Sequence, residues 1–263
     1  MRSMQIIKWG EPLELRESET PTPQGSEILV RIDACGVCHS DLHIWEGFFD
    51  LGEGQKFPIE ERGVHLPFTM GHEPAGVVIA KGPDSGDAEI GNSYAIYPWV
   101  NCGECEPCLN GLTQVCDAPK VIGTRVNGAY SDHVMVPDHR FLVDHTGISS
   151  DLACTLACSG LTTFSAIRKI DPTSHTAKDT VVVLGAGGLG LTAVRILKHL
   201  SKARVVVSDI DPTKRAAAED MGADLTVDPT EDIAVQTVQQ LAKRDGGSGV
   251  AATLDFVGLP QTM

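Results

Sequence analysis

Long hydrophobic runs are missing from this chain: none of its 263 residues falls in an uninterrupted apolar stretch of the roughly 18 positions a membrane-spanning helix needs. Positive charge is also scarce. Lys and Arg number 21 against 35 Asp and Glu, a formal net charge of −14, which disfavours nucleic acid or an anionic membrane as a partner. The opening MRSMQIIKWGEPLEL lacks an apolar core ahead of a small-residue cleavage site, so no secretory leader is expected and a cytoplasmic setting is the default. No internal repeat or low-complexity tract is visible. In a reducing compartment, the eight cysteines point to metal ligands and small buried side chains instead of disulfides.

What is present has two textures. Up to about residue 150, short β-branched runs such as EILVRIDACG, PAGVVIAKG, NSYAIYPWV and YSDHVMVP alternate with Gly and Pro, a pattern of many short strands joined by turns. Beyond it, DLACTLACSGLTTFSAIRKI has helical length. TVVVLGAGGLGLTAVRILKHL, ARVVVSDIDPTKRAAAEDMGA, LTVDPTEDIAVQTVQQLAKRDGG and VAATLDFVG then alternate strand with helix. That alternation implies a parallel sheet with right-handed crossovers. The expected fold class is therefore α/β plus β. The mixed stretch from Leu42 to Met70, with Phe48, Phe49 and Phe57 among several acids, is long for a plain connection and reads as a surface lobe.

CGECEPCLNGLTQVC supplies Cys102, Cys105, Cys108 and Cys116 in a C-x2-C-x2-C-x7-C spacing. Four thiolates this close can surround Zn²⁺ completely, which is the mark of a structural site. The rival is an iron–sulfur cluster, whose fourth cysteine follows three residues later and precedes Pro. Here the fourth follows seven residues later and precedes Asp117, so zinc is the better reading.

VVVLGAGGLG runs a buried-type strand into Gly185, Gly187 and Gly190, with a helical pattern directly after and an acid, Asp209, ending the next strand. These flanks turn a weak G-x-G-x-x-G into a dinucleotide fingerprint. Gly185 permits the tight turn, Gly187 lets backbone N–H groups approach a pyrophosphate, and Gly190 lets helix and strand pack closely. Asp209 can accept from the adenosine ribose hydroxyls, and its charge, with that of Asp211, would repel a 2′-phosphate. NAD is favoured over NADP.

Cys35, Cys38, Cys154 and Cys158 remain, with His39, His43 and the pair His72–Glu73. A catalytic zinc takes three protein ligands and leaves one position open, but spacing does not choose among these residues.

At this point the chain resembles the zinc-dependent medium-chain alcohol dehydrogenases. GVCHSDLH, GHEPAGVV, CGECEPCLNGLTQVC, CSGLTTFSAI and GAGGLG occur in that family's order, from about Gln5 to Gly258. The resemblance implies a GroES-like β-rich catalytic domain (1–155) and a Rossmann NAD-binding domain (156–263), with the active site between them. It implies two zinc ions per chain: a catalytic one on Cys38, His72 and Cys158, and a structural one on the four clustered cysteines. Asp41 matches the carboxylate that orients the imidazole ligand, and Glu73 the acid beside the zinc. Ser40 and His43 match a proton relay that carries the alcohol proton through the cofactor ribose to solvent. His39 matches a pyrophosphate contact, Thr162 a position beside the nicotinamide, and Lys214 one near the adenosine ribose. The implied reaction is hydride transfer between an alcohol and NAD, giving an aldehyde or ketone, in a homo-oligomer (dimer or tetramer). A polyol, amino-alcohol or aldehyde-adduct dehydrogenase of the same superfamily is the runner-up, less favoured because Cys158 stands where the polyol enzymes carry Glu.

Two departures stand out. The interval from Cys38 to His72 is longer than the family's, with extra residues near Phe48–Val64, and Trp45, Phe48, Tyr97 and Trp99 are candidates to line an enlarged substrate pocket. DFVGLPQTM matches the end of the fourth Rossmann strand, so a half-sheet ordered 3-2-1-4 is expected, with the fourth strand an uncovered edge. The resemblance places further strands after this point. On that footing these residues alone are expected to bind zinc with little turnover, and an inactive zinc- and dinucleotide-binding fragment is the alternative from another class. Cys35 is expected to be a small buried side chain. Replacing it by Ala should leave two zinc ions per chain, whereas Cys38→Ala should leave one; elemental analysis showing equal loss would revive a paired Cys35–Cys38 role.

Overall fold

Short Val and Ile runs punctuated by Gly and Pro favour pleated segments over helices, and the N-terminal part folds accordingly. The computed structural model describes residues 1–247, 249–259 and 262, and the chain divides into the units Met1–Cys158 and Ser159–Met263. Pro260, Gln261 and Met263, at the end of the DFVGLPQTM stretch, lie outside the described residues.

The first unit carries β1 (Arg2–Ile6), β2 (Glu14–Glu17), β3 (Ile28–Gly36), α1 (His39–Glu46), β4 (Phe48–Asp50), β5 (Lys56–Pro58), β6 (Phe68–Thr69), β7 (Glu73–Lys81), β8 (Ser93–Ile96), α2 (Glu106–Leu109), β9 (His133–Val136), β10 (Leu142–Asp144) and α3 (Ser150–Thr155). Its main sheet is antiparallel, in the order β10-β8-β7-β3-β9; a second sheet has the order β2-β1-β6, and β4 and β5 form a hairpin. Ile28, Val30, Val78, Ile96, Val134 and Val136 fill the core on one side of the main sheet.

The Leu42–Met70 stretch is a lobe with a core of its own. Ile44, Ile59, Val64, Phe68 and Met70 bury together with Ile6 of β1, and Trp9, Trp45 and Phe49 pack around them. Gly47 ends α1 at φ +86°, and a Cβ there would meet the Trp9 ring at 2.8 Å. Only glycine meets both demands.

The second unit is strand–helix alternation: α4 (Leu161–Arg168), β11 (Thr180–Leu184), α5 (Gly188–Leu200), β12 (Arg204–Ser208), α6 (Pro212–Asp220), β13 (Leu225–Val227), α7 (Ala234–Lys243) and β14 (Val250–Asp255). The sheet is parallel and ordered β13-β12-β11-β14, the expected 3-2-1-4. Its valine runs are buried on both faces, as a helix-covered parallel sheet requires. Val181, Val183, Val205 and Val207 meet Ala193, Val194 and Leu197 of α5 on one side. Val182, Val206 and Val227 meet Ala234 of α7 on the other.

One expected helix is not uniform. From Ser150 to Arg168 the chain is helical, but Leu156–Gly160 is a π-helical turn between α3 and α4. Such a turn inserts a residue into the helical repeat and re-aims the side chains within it, and Cys158 is one of those. Among the described residues no helix is long and apolar enough to cross a membrane.

Candidate active site and metal centres

Cys38 and Asp41 show how a local rule of helix formation prepares a reactive site. Cys38 is the N-cap of α1 and Asp41 its third residue. The Asp41 carboxylate accepts from the Cys38 N–H at 2.9 Å through Oδ2, the reciprocal arrangement of a capping box with a thiol where Ser or Thr usually stands. Asp41 is buried, and its other oxygen, Oδ1, lies 3.2 Å from His72 Nδ1. The Tyr130 hydroxyl donates to Oδ2 at 3.1 Å. Burial, and then the neighbouring Asp41 charge, push the Tyr130 phenol well above its ordinary range, so it remains a donor. A buried carboxylate with three such partners is satisfied.

Around His72, the ligand atoms of Cys38, His72, Glu73 and Cys158 all lie within 4.8 Å of one another. The expected ligands, 34 and 86 residues apart along the chain (72 − 38 and 158 − 72), thus meet within the first unit. The hydrogen bond with Cys158 is the strongest influence on Cys38 and, against burial and with help from His72, draws its thiol down to about 3. Burial opposes a charged His72, but hydrogen bonds with Asp41 and Cys38 prevail and raise it to about 10. Two thiols, an imidazole and a carboxylate at this separation fit a zinc ion, with Asp41 holding His72 Nδ1 so that Nε2 is free for the metal. Glu73 owes its place to Gly36, where a Cβ would stand 2.0 Å from Glu73 Oε2.

Ser40 is half-buried on α1. His43, one turn on, has Nδ1 3.8 Å from Glu46 Oε2, and its ring lies 4.8 Å from that of the exposed His39 and 5.4 Å from that of Phe49. Cys35 and Cys154 are not members of the ligand group, although both lie close enough to Glu73 to feel its charge. Burial pushes the Cys35 thiol up to about 12 and also raises that of Cys154, so both stay protonated, in keeping with a small apolar role for Cys35.

The candidate pocket aromatics are differently committed. Trp45 packs in the lobe core and donates its indole N–H to Glu11 O at 2.7 Å. Phe48 lies under Lys56 Nζ at 3.6 Å. Tyr97 stacks against Phe141, and Trp99 lies beside it, its ring centroid 5.7 Å away.

The second cluster gathers Cys102, Cys105, Cys108 and Cys116, with ligand atoms again within 4.8 Å of one another. Sulfurs about 2.3 Å from a tetrahedral zinc lie about 3.8 Å apart. Here Cys102–Cys108 is 4.0 Å, Cys105–Cys116 3.9 Å and Cys102–Cys116 3.5 Å. Backbone N–H groups of Cys102, Cys105 and Ala118 donate to these sulfurs at 3.4 Å. Those of Glu104 and Cys105 bring the Cys102 thiol down to about 6.

In the second unit the glycine turn has the shape the fingerprint demands. Gly185 has φ +90°, and a Cβ on Gly190 would stand 1.8 Å from Gly185 O. Apart from their chain neighbours and the helix's own backbone, nothing lies within 4 Å of where a Cβ would be on Gly187 and Gly188, leaving the start of α5 open to a phosphate group. Asp209 directly follows β12 and braces this turn: Oδ2 accepts from Ala186 N at 2.7 Å and Oδ1 from Asp211 N at 2.9 Å. Each oxygen keeps a lone pair for a ribose hydroxyl. Asp211 caps α6 by accepting from Thr213 and Lys214 N–H groups. Lys214 is exposed on the first turn of α6, and Thr162 is exposed on α4 beside the buried Thr163.

Sequence reasoning missed Tyr130 and Gly36. Tyr130 is 89 residues from Asp41, and nothing in its surroundings marks it as a partner; Gly36 carried only the signal of a glycine inside a strand.

Comparison with known proteins follows the same division. Residues 24–145 match the family model described as alcohol dehydrogenase GroES-like domain, and 188–263 that described as zinc-binding dehydrogenase. The chain is 35% identical over its whole length to the NAD-dependent alcohol dehydrogenase of Sulfurisphaera tokodaii, 73% of which is covered. The crystal structure of the Aeropyrum pernix alcohol dehydrogenase superposes with a TM-score of 0.84 at 29% identity, over all of this chain and 73% of that one. The D-arabinose dehydrogenase from Sulfolobus solfataricus gives 0.84 and 29%, over 100% and 76%.

Two outcomes follow from the His72 cluster. Between the Cys38 value of about 3 and the His72 value of about 10, the ligand group holds a proton on His72 that zinc must displace. Zinc affinity should therefore rise from pH 6 to 8, by up to about tenfold per pH unit for each proton released; a chelator-competition titration giving a flat profile would count against this. Asp41→Asn should weaken the same affinity roughly 10- to 100-fold while leaving the four-cysteine site loaded.

Proposed function

This chain belongs to the zinc-dependent medium-chain alcohol dehydrogenase family, and from that premise we propose that it oxidises an alcohol to an aldehyde or ketone with NAD as hydride acceptor. The observation that carries the reading is the meeting of Cys38, His72, Glu73 and Cys158 within 4.8 Å, with Asp41 behind His72. Cys38, His72 and Cys158 hold the catalytic zinc, and Cys102, Cys105, Cys108 and Cys116 the structural one. The chemistry supplied by the bound groups is Lewis-acid activation of the hydroxyl at the metal and hydride acceptance by the nicotinamide.

The chain's own residues do the rest. The Cys38 and Cys158 thiolates would offset the formal charge of the metal, so its Lewis acidity would be milder than at a site of three neutral histidines. Asp41 fixes the His72 tautomer and raises its basicity. Glu73, buried beside the ligands, adds negative field to the site. The Ser40 hydroxyl takes the alcohol proton, and His43 hands it toward solvent. His39, Thr162, Gly185, Gly187, Gly190, Asp209 and Lys214 bind the cofactor, with Asp209 accepting from the ribose.

The catalytic domain is assigned to residues 1–155 and the nucleotide-binding domain to 156–263, in a homo-oligomeric, cytoplasmic enzyme. A polyol or sugar substrate is the second reading, supported by the fold shared with the D-arabinose dehydrogenase; Cys158 in the ligand set weighs against the polyol version.

A panel of primary, secondary and polyhydric alcohols with NAD⁺, followed by NADH absorbance, tests the activity. Ser40→Ala should lower kcat by about 10²-fold or more at unchanged zinc content; an unchanged kcat would remove Ser40 from the relay.

A further inference from the structure

Acids outnumber Lys and Arg by 35 to 21 in this chain, yet the half-buried Arg62 and Arg125 have no carboxylate partner: among the described residues neither takes part in an ion pair. They meet each other instead. Arg125 Nη1 donates to the Arg62 carbonyl at 3.2 Å, while Arg125 Nε is buried without a hydrogen-bond partner among the described residues. The Arg62 guanidinium lies over the Phe49 ring at 5.1 Å, which restricts its plane. Burial, and then the Arg125 charge, pull Arg62 below its ordinary value, so each cation disfavours the other. A buried donor left without a partner calls for an explanation, and so does an uncompensated pair of like charges.

Both arginines are tethered to the ligand cluster, from opposite directions along the chain. Phe49, under Arg62, sits 5.4 Å from the ring of His43 on α1, the helix that Cys38 caps. Arg125 lies in the turn from Val121 to Val126. Beside that turn, Gly123 packs so tightly on Gly71 that a Cβ would stand 2.3 Å from Gly71 O and 2.8 Å from His72 N. The lobe that lengthens the Cys38–His72 interval thus brings one arginine, and the segment packed on His72 brings the other.

A planar guanidinium offers paired donors that match a carboxylate or phosphate, and two of them close an oxyanion from two sides. We propose that Arg62 and Arg125 form a recognition site for an oxyanion, carboxylate or phosphate, carried by the alcohol substrate. The inference rests on the alcohol dehydrogenase reading and sharpens it: the preferred substrate is an anionic alcohol, and the lobe is the element that selects it.

The test uses the zinc-loaded chain, with inorganic phosphate and acetate as probes in calorimetric titrations at low ionic strength, with and without saturating NAD⁺. Phosphate should bind, should persist with NAD⁺ present, and should weaken roughly 10- to 100-fold in Arg62→Gln and in Arg125→Gln at wild-type zinc content. A parallel titration with acetate tells whether a carboxylate suffices. A second measurement needs no variant: phosphate should inhibit alcohol oxidation competitively against the alcohol and not against NAD⁺, and an ω-hydroxycarboxylate should have a higher kcat/KM than the neutral alcohol of equal length. Absence of phosphate binding, equal binding in the Gln variants, or competition with NAD⁺, which would assign the pair to the cofactor's phosphates, overturns the proposal. The two readings fail separately. Alcohol turnover with arginine-independent phosphate binding leaves the dehydrogenase reading standing alone. Arginine-dependent phosphate binding in a chain that oxidises no alcohol keeps the oxyanion site and removes the substrate it was assigned to.

Discussion

The buried carboxylate of Asp41 has to be satisfied on both oxygens, and the way it is satisfied organises the catalytic side of this protein. Its partners come from three places: the Cys38 N–H at the start of its own helix, the His72 ring, and the Tyr130 hydroxyl. Ionised carboxylate in a dry interior is tolerated only with such donors. Each partner is therefore held where Asp41 needs it, and in being held becomes useful. Cys38 sits at a helix N-terminus, which favours thiolate; His72 keeps one tautomer; and Tyr130 joins the segment after Gly128 to both.

Close backbone packing surrounds this hub. Gly128 and Ala129 N–H groups donate to Thr69 and Gly71 carbonyls, and Gly123 and Gly128 approach Gly71 more closely than any side chain allows. Gly36 vacates the volume that the Glu73 carboxylate occupies. The second unit applies the same logic to a different ligand. Gly190 gives α5 its contact with the end of β11, Gly187 leaves the helix start open, and Asp209 braces the turn through Ala186 N. In both units a small residue marks a place where two backbones or a ligand must come close, and an aspartate fixes the orientation.

Much of this was legible beforehand because it is local. The C-x2-C-x2-C-x7-C spacing brings four sulfurs to 3.5–4.0 Å in three measured pairs, since a short loop has few other ways to fold around its cysteines. Valine runs alternating with amphipathic helices gave a parallel sheet in the expected order. The glycine fingerprint has the expected turn, and Cys35 is a half-buried thiol whose pKa burial raises. The lobe was visible as an overlong interval, but its interior was not. Trp45, a candidate pocket residue, turned inward to the core, because an apolar ring on the buried side of α1 gains more from packing than from facing a ligand.

Sequence by itself determined the metal-loop chemistry, the nucleotide turn, and the list from which the catalytic ligands were drawn, because each depends on residues within one turn or one loop. It did not choose among Cys35, Cys38, Cys154 and Cys158 by spacing; resemblance to a family pointed to two of them, and the fold brings those two to His72 and Glu73. Only the tertiary structure decided that Tyr130 completes Asp41, that a π-helical turn contains Cys158, and that Arg125 donates to the Arg62 carbonyl. These contacts join segments tens of residues apart, and such pairings are fixed by which surfaces pack together, a property that no local pattern of residues encodes.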